Sequence, residues 1–132
     1  MSSGTVGIIL VSHSAELAAG AARLASQVSG GGVTIIAAGG TDDGDLGTSA
    51  AKVRDGLRLA DQGAGVVVLP DLGSAVLTVR AVLEDEDPAT NVVMADAPFV
   101  EGAIAATVTA AAGGDIKAVA AAAEEARNAR KL

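Results

Sequence analysis

Four short apolar runs alternate along the chain with segments whose apolar residues return every three or four positions, and glycine, proline or aspartate marks each change of period. The first run lies within Thr5 to Ser14 (TVGIILVSHS) and carries Val6, Ile8, Ile9, Leu10 and Val11. So dense a run predicts a strand buried on both faces. Ser14 then caps a helix with Leu17, Ala21, Leu24, Ala25 and Val28 on its inward face, and Gly30 to Gly32 stop it. Val33 to Ala38 predicts a second strand, which opens into GGTDDGDLGTS, residues 39 to 49, too rich in Gly and Asp for helix or strand. Thr48 or Ser49 caps a second helix, with Ala50, Val53, Leu57 and Ala60 inward and Lys52, Arg54, Asp55, Arg58 and Asp61 toward water.

Val66 to Leu69 predicts a third strand, ending at Pro70 and Asp71. In the turn DLGS that follows, Gly73 permits a tight bend and Ser74 reads as the N-cap of a third helix carrying Val76, Val79, Val82 and Leu83. That helix runs into the acidic stretch Glu84 to Asp87 and stops at Pro88. Asn91 to Met94 gives a fourth strand. Pro98 then opens a helix with a stripe of Phe99, Val100, Ile104 and Val108, Gly113 and Gly114 end it, and Asp115 caps a last, Ala-rich helix with a mixed-charge tail. Strands alternating with helices predict an α/β fold with a parallel sheet covered on both faces. Right-handed crossovers and a flavodoxin-like winding put its strands in the order 2-1-3-4, a three-layer sandwich formed by one domain over residues 1–132.

Composition narrows the partners. The 132 residues are half apolar, enough for one core without cross-links, and there is no cysteine. No apolar run approaches the roughly 18 to 20 residues that span a bilayer, and the start MSSGTVG lacks the pattern of a signal peptide, so no membrane insertion and a cytoplasmic location are expected. Nine basic against sixteen acidic residues leave a net charge of −7, which repels a phosphate backbone. One Phe, with no Tyr or Trp, leaves no stacking platform for bases, so no nucleic acid is expected as partner.

His13, the single histidine, falls at the carboxyl end of the first strand, where open α/β sheets place their ligands. In the order 2-1-3-4 Asp71 leaves the neighbouring strand at the same edge. A neutral imidazole with one free lone pair is a nucleophile toward phosphorus, and a carboxylate on its other nitrogen fixes the tautomer and steadies the developing charge. The alternative for His13 is an ordinary loop residue. The 39 to 49 loop offers amides to a phosphoryl group, or is simply a surface loop. It is no P-loop, lacking the Lys followed by Ser or Thr, and the order of Asp42, Asp43, Gly44 and Asp45 is wrong for a calcium loop. A hydrolase built on Ser12 or Ser14 lacks G-x-S-x-G. A receiver-like domain phosphorylated on Asp71 itself is a further reading, although Ser12, His13 and Ser14 stand where such a fold carries acidic residues. A non-catalytic nucleotide or phosphate binder is another.

The segments VSHSAELAAG (11 to 20), GGTDDGDLGTSAAKV (39 to 53), PDLGSAVLTVRAVLE (70 to 84) and DAPFVEGAIAATV (96 to 108) together resemble the DhaM family of phosphotransfer subunits, of the mannose-type IIA group. The family serves the dihydroxyacetone (glycerone) kinase that depends on the bacterial phosphoenolpyruvate phosphotransferase system. The resemblance implies that the phosphocarrier HPr phosphorylates His13 and that the phosphohistidine rephosphorylates ADP on the DhaL subunit, for transfer to dihydroxyacetone on DhaK. It implies the ε nitrogen as carrier, Asp71 as orienting partner, no cofactor or metal, and a homodimer. Amides of the 39 to 48 loop, at Gly40 among others, with Thr41, Thr48 and Ser74, are the expected phosphoryl-binding groups. Thr78 and Arg80 depart from the family's usual Asn and Glu. Related carriers serve sugar transporters, which is the alternative role.

Overall fold

The computed structural model describes residues 4–86 and 91–132, so the expected stop at Asp87 and Pro88 lies outside the described residues. Four parallel strands, β1 (Gly7–Ser12), β2 (Ile35–Gly39), β3 (Val66–Pro70) and β4 (Val92–Met94), stand in the order β2-β1-β3-β4. The helices are α1 (Ala15–Ser29), α2 (Ala50–Ala60), α3 (Gly73–Glu84), α4 (Phe99–Ala111) and α5 (Ile116–Glu125), followed by a 3-10 turn at Ala126–Asn128. This is the α/β architecture and strand order that the alternation of periods predicts.

Two cores lie on the two faces of the sheet, and β1 shows why. Ile8 and Leu10 point to one side with Val67 and Leu69, against Ala21 and Ala25 of α1, Ala103, Ala106 and Ala110 of α4 and Val119 and Ala123 of α5. Ile9 and Val11 point to the other with Val66 and Val68, against Val53, Leu57 and Ala60 of α2 and Val79 and Val82 of α3. The period of two thus splits one continuous apolar run between two layers of helices. All six residues of β1 are buried.

The helix faces differ from the expected ones where helices pack closely. In α1 the buried residues are Ala18, Ala21 and Ala25, while Leu17, Leu24 and Val28 are exposed. In α4 they are Gly102, Ala103, Ala106, Thr107 and Ala110, while Phe99, Val100 and Ile104 are only half-buried and Val108 is exposed. Small side chains face inward because α1 packs on α4, and α4 on α5, as well as on the sheet, and close approach leaves no room for larger ones. In α2, Gly56 rather than Ala50 completes the inward face: a Cβ there would lie 3.4 Å from the Ile36 side chain and collide with that of Ile9.

The caps are mostly the expected ones. Ser14, Ser49 and Asp115 accept from the amides of Leu17, Lys52 and Ala118, at 3.1, 3.1 and 2.9 Å. The exception is α3. Its N-cap is Leu72, without a side-chain cap bond, and Ser74 lies inside the first turn. The helix starts two residues earlier than a cap at Ser74 predicts, which frees the Ser74 hydroxyl for another partner.

Candidate functional site

β1 and β3 run side by side with Val11 opposite Pro70, and the Asp71 amide donates to the Val11 carbonyl at 2.9 Å. The two chain ends that follow therefore leave the sheet together. His13 Nδ1 lies 3.0 Å from Asp71 Oδ1, and the His13 amide donates to Asp71 Oδ2 at 3.0 Å. The Ser12 hydroxyl donates to the same Oδ2 at 2.9 Å, and the Leu72 amide donates to Oδ1 at 2.7 Å. The side chain of Asp71 is 8% exposed and that of His13 is 24% exposed.

Burial works to raise the Asp71 pKa, but the hydrogen bonds from the His13 amide, the His13 ring and the Ser12 hydroxyl, with electrostatic attraction to the His13 side chain, outweigh it and hold the carboxyl below its ordinary value. An ionised carboxylate only accepts hydrogen bonds, so Nδ1 must carry the ring proton. In the neutral imidazole the lone pair is then on Nε2, which lies 2.5 Å from Ser74 Oγ, with the hydroxyl as donor. This arrangement suits the ring to nucleophilic attack through Nε2, beside the first turn of α3, where the helix dipole favours an anion.

The 39 to 49 loop meets the same site from the β2 side, but through the backbone of the site residues. The Gly40 amide, at φ +77, donates to the Ser12 carbonyl at 3.1 Å, and the Gly47 amide donates to the His13 carbonyl at 2.8 Å. The Thr41 amide donates to the Asp45 carbonyl at 2.9 Å, and the Thr41 hydroxyl accepts from the Asp45 amide at 3.1 Å. Thr48 Oγ1 lies 2.6 Å from Thr78 Oγ1, which ties the loop to α3. Of the expected phosphoryl-binding groups, Ser74 therefore meets the ring directly, while Gly40, Thr41 and Thr48 spend the bonds described here on neighbouring protein groups.

A family model described as the PTS system fructose IIA component, EIIA-man, matches residues 7–120. The chain belongs to the EIIA-man family. Its EIIA-man relatives include the phosphoryl donor subunit DhaM of a PEP-dependent dihydroxyacetone kinase from Pantoea ananatis, 42% identical over 119 residues, which are 86% of this chain and 25% of that protein. The corresponding DhaM of kinase 2 from Listeria innocua is 36% identical over 78% of this chain and 84% of its own length. The chain thus spans about a quarter of the first relative and most of the second. Among solved structures, a crystal structure of a protein of unknown function, EF1359, superposes with a TM-score of 0.82 at 34% identity, over 97% of each chain.

In this EIIA-man site, Ser12 is read from the sequence only as a hydrolase nucleophile or as a replacement for a receiver's acidic residue, and its bond to the Asp71 carboxylate is missed. Its signal was present, because a hydroxyl closing an otherwise apolar, doubly buried strand must find a partner.

Proposed function

We propose that the chain is a phosphoryl carrier in which His13 accepts phosphate from phospho-HPr and passes it to ADP bound on DhaL, for the phosphorylation of dihydroxyacetone held on DhaK. The observation that supports this most is the outward Nε2 of a ring whose Nδ1 is paired with Asp71 at 3.0 Å, in a chain similar to proteins named phosphoryl donor subunits. In the accepting step the Nε2 lone pair bonds to phosphorus while the bond from phosphorus to the donor's nitrogen breaks, and its electron pair returns to that nitrogen. Nδ1 keeps its proton, and Asp71 offsets the positive charge that spreads over the ring. In the passing step an oxygen of the ADP β-phosphate replaces Nε2 on phosphorus. Transfer between two such donors requires mainly alignment and charge stabilisation. Ser74 Oγ, beside Nε2, is placed to donate to a phosphoryl oxygen, with the first-turn amides of α3 behind it.

Asp71 is a poor acceptor by comparison, because both of its oxygens already receive two hydrogen bonds each. The carrier reading also takes the chain to be one cytoplasmic domain that works as a homodimer, for which the exposed Leu17, Leu24 and Val28 of α1 offer an apolar stripe. Among the described residues no helix is long and apolar enough to cross a membrane.

The test is incubation with phosphoenolpyruvate, enzyme I and HPr. The expected product is one acid-labile, alkali-stable phosphate on His13, discharged by DhaL with ADP. A His13→Ala chain that still takes label overturns the assignment. A labelled chain that DhaL with ADP leaves charged, but a sugar transporter's next component discharges, moves the acceptor to the sugar branch.

A further inference from the structure

Three hydroxyls are buried among the described residues, at Ser12, Ser49 and Thr107. Two have complete local explanations: Ser49 caps α2 and donates to Asp42 of its own loop, and Thr107 returns to the Ala103 carbonyl one turn back at 2.7 Å. Ser12 is different. Its hydroxyl crosses from the end of β1 to Asp71 beyond the end of β3, at 2.9 Å, and accepts from the Ser14 amide at 3.0 Å.

That second bond matters as much as the first. The Ser14 amide occupies a lone pair of the Ser12 oxygen and so aims the O–H at Asp71 Oδ2, while the backbone amides of His13 and Leu72 hold one oxygen each. A carboxylate gripped on both oxygens cannot rotate about its Cβ–Cγ bond, and Oδ1 stays in line with Nδ1. The Ser12 bond also draws charge from the carboxylate, so that it steadies a phosphorylated ring without binding it so strongly that the phosphate is retained.

We propose that Ser12 is a positioning residue for phosphoryl transfer, acting through Asp71 to keep the His13 ring in the tautomer with its proton on Nδ1. The proposal rests on the carrier reading of His13. Ser12 touches neither the phosphoryl group nor the reacting nitrogen. The His13 ring is the titratable group in hydrogen-bond contact with Asp71 among the described residues, and the other contacts are neutral.

The test compares Ser12→Ala and Ser12→Thr with the unaltered chain, using phospho-HPr and phosphoramidate as donors. The second donor is a small molecule that needs no docked partner. Ser12→Ala is expected to slow both reactions by the same factor, about tenfold, the scale of one hydrogen bond to a charged group. The nitrogen NMR shifts of the ring are expected to move toward a mixture of tautomers, and the Asp71 carboxyl to titrate at higher pH. Ser12→Thr restores all three. If Ser12→Ala does not fold, Ser12→Cys, similar in shape but a weaker donor, is read in the same way. A variant lacking the hydroxyl bond that keeps the normal tautomer and both rates, with only a lower melting temperature, overturns Ser12's part alone. An unaltered chain that takes phosphate from neither donor overturns the carrier reading and Ser12's part in transfer together.

Discussion

Asp71 holds His13 twice, by the ring at Nδ1 and by the backbone amide, each at 3.0 Å and each on a different carboxylate oxygen. One side chain therefore sets both where the histidine's main chain lies and how its ring is turned. Rotation about the two side-chain bonds of His13 is removed before any substrate arrives, which is the condition for fast transfer between prealigned groups.

Asp71→Ala removes both anchors. The rate of His13 labelling by phospho-HPr is expected to fall about a hundredfold or more, as for the orienting carboxylate of a catalytic triad. Rapid-quench labelling measures it, and a rate within twofold of normal would rule out the pairing as the source of reactivity.

Ser74 and Ser49 separate transfer from folding. Ser74 lies within the first turn of α3 and gives it no cap bond, so Ser74→Ala is expected to slow labelling while leaving the denaturation midpoint near its normal value. Ser49 caps α2, and Ser49→Ala is expected to cost about 1 kcal/mol of stability. Urea titration and labelling rate together check the contrast.

Acid should act through Asp71. Its native pKa lies below the ordinary 3.8, so its ionised form adds stability that is present above that value and is lost as pH falls through the lowered native one. Stability measured by denaturant between pH 6 and pH 3 is expected to drop toward the acid end, and the part of the drop due to this group is expected to vanish in Asp71→Asn. Parallel curves for the two chains would contradict it.

Glycine 39 ends β2 against the start of α1. A Cβ there would lie 2.8 Å from the Cα of Ala15 and 2.9 Å from the Ala18 side chain, besides striking the Ser14 carbonyl. Gly39→Ala is expected to cost about 2 kcal/mol or more and to displace the turn that carries His13, lowering labelling as well. Gly20, in mid α1, meets nothing within 4 Å, and Gly20→Ala is expected to gain about 1 kcal/mol with labelling unchanged. Melting curves and labelling rates on the two variants test the pair.

The strand order was legible because each apolar run is too dense for a half-wet strand, and parallel strands linked by helices leave few windings. That order alone puts His13 and Asp71 at one edge. The inward faces of α1 and α4 were not legible, because a search for periodic large apolar residues finds Leu17, Leu24 and Val28, whereas closely packed helices bury Ala18, Ala21 and Ala25. Ser74 could be read two ways, since a serine just after a turn is the usual cap, and it is the two-residue shift of the α3 start that leaves its hydroxyl free to turn to the ring. The 39 to 49 loop reads from composition as a cradle for anions. Its fold shows amides at Gly40 and Gly47 turned to the carbonyls of Ser12 and His13, a pairing that no local pattern announces.

Those two bonds, from the Gly40 and Gly47 amides, brace the peptide units on either side of the His13 α-carbon. On the carrier reading, a site braced in this way needs no hinge motion before transfer, so turnover would be governed by how often partners collide in the right orientation. Its speed should then track viscosity and protein concentration, much as traffic at an open gate depends only on arrivals.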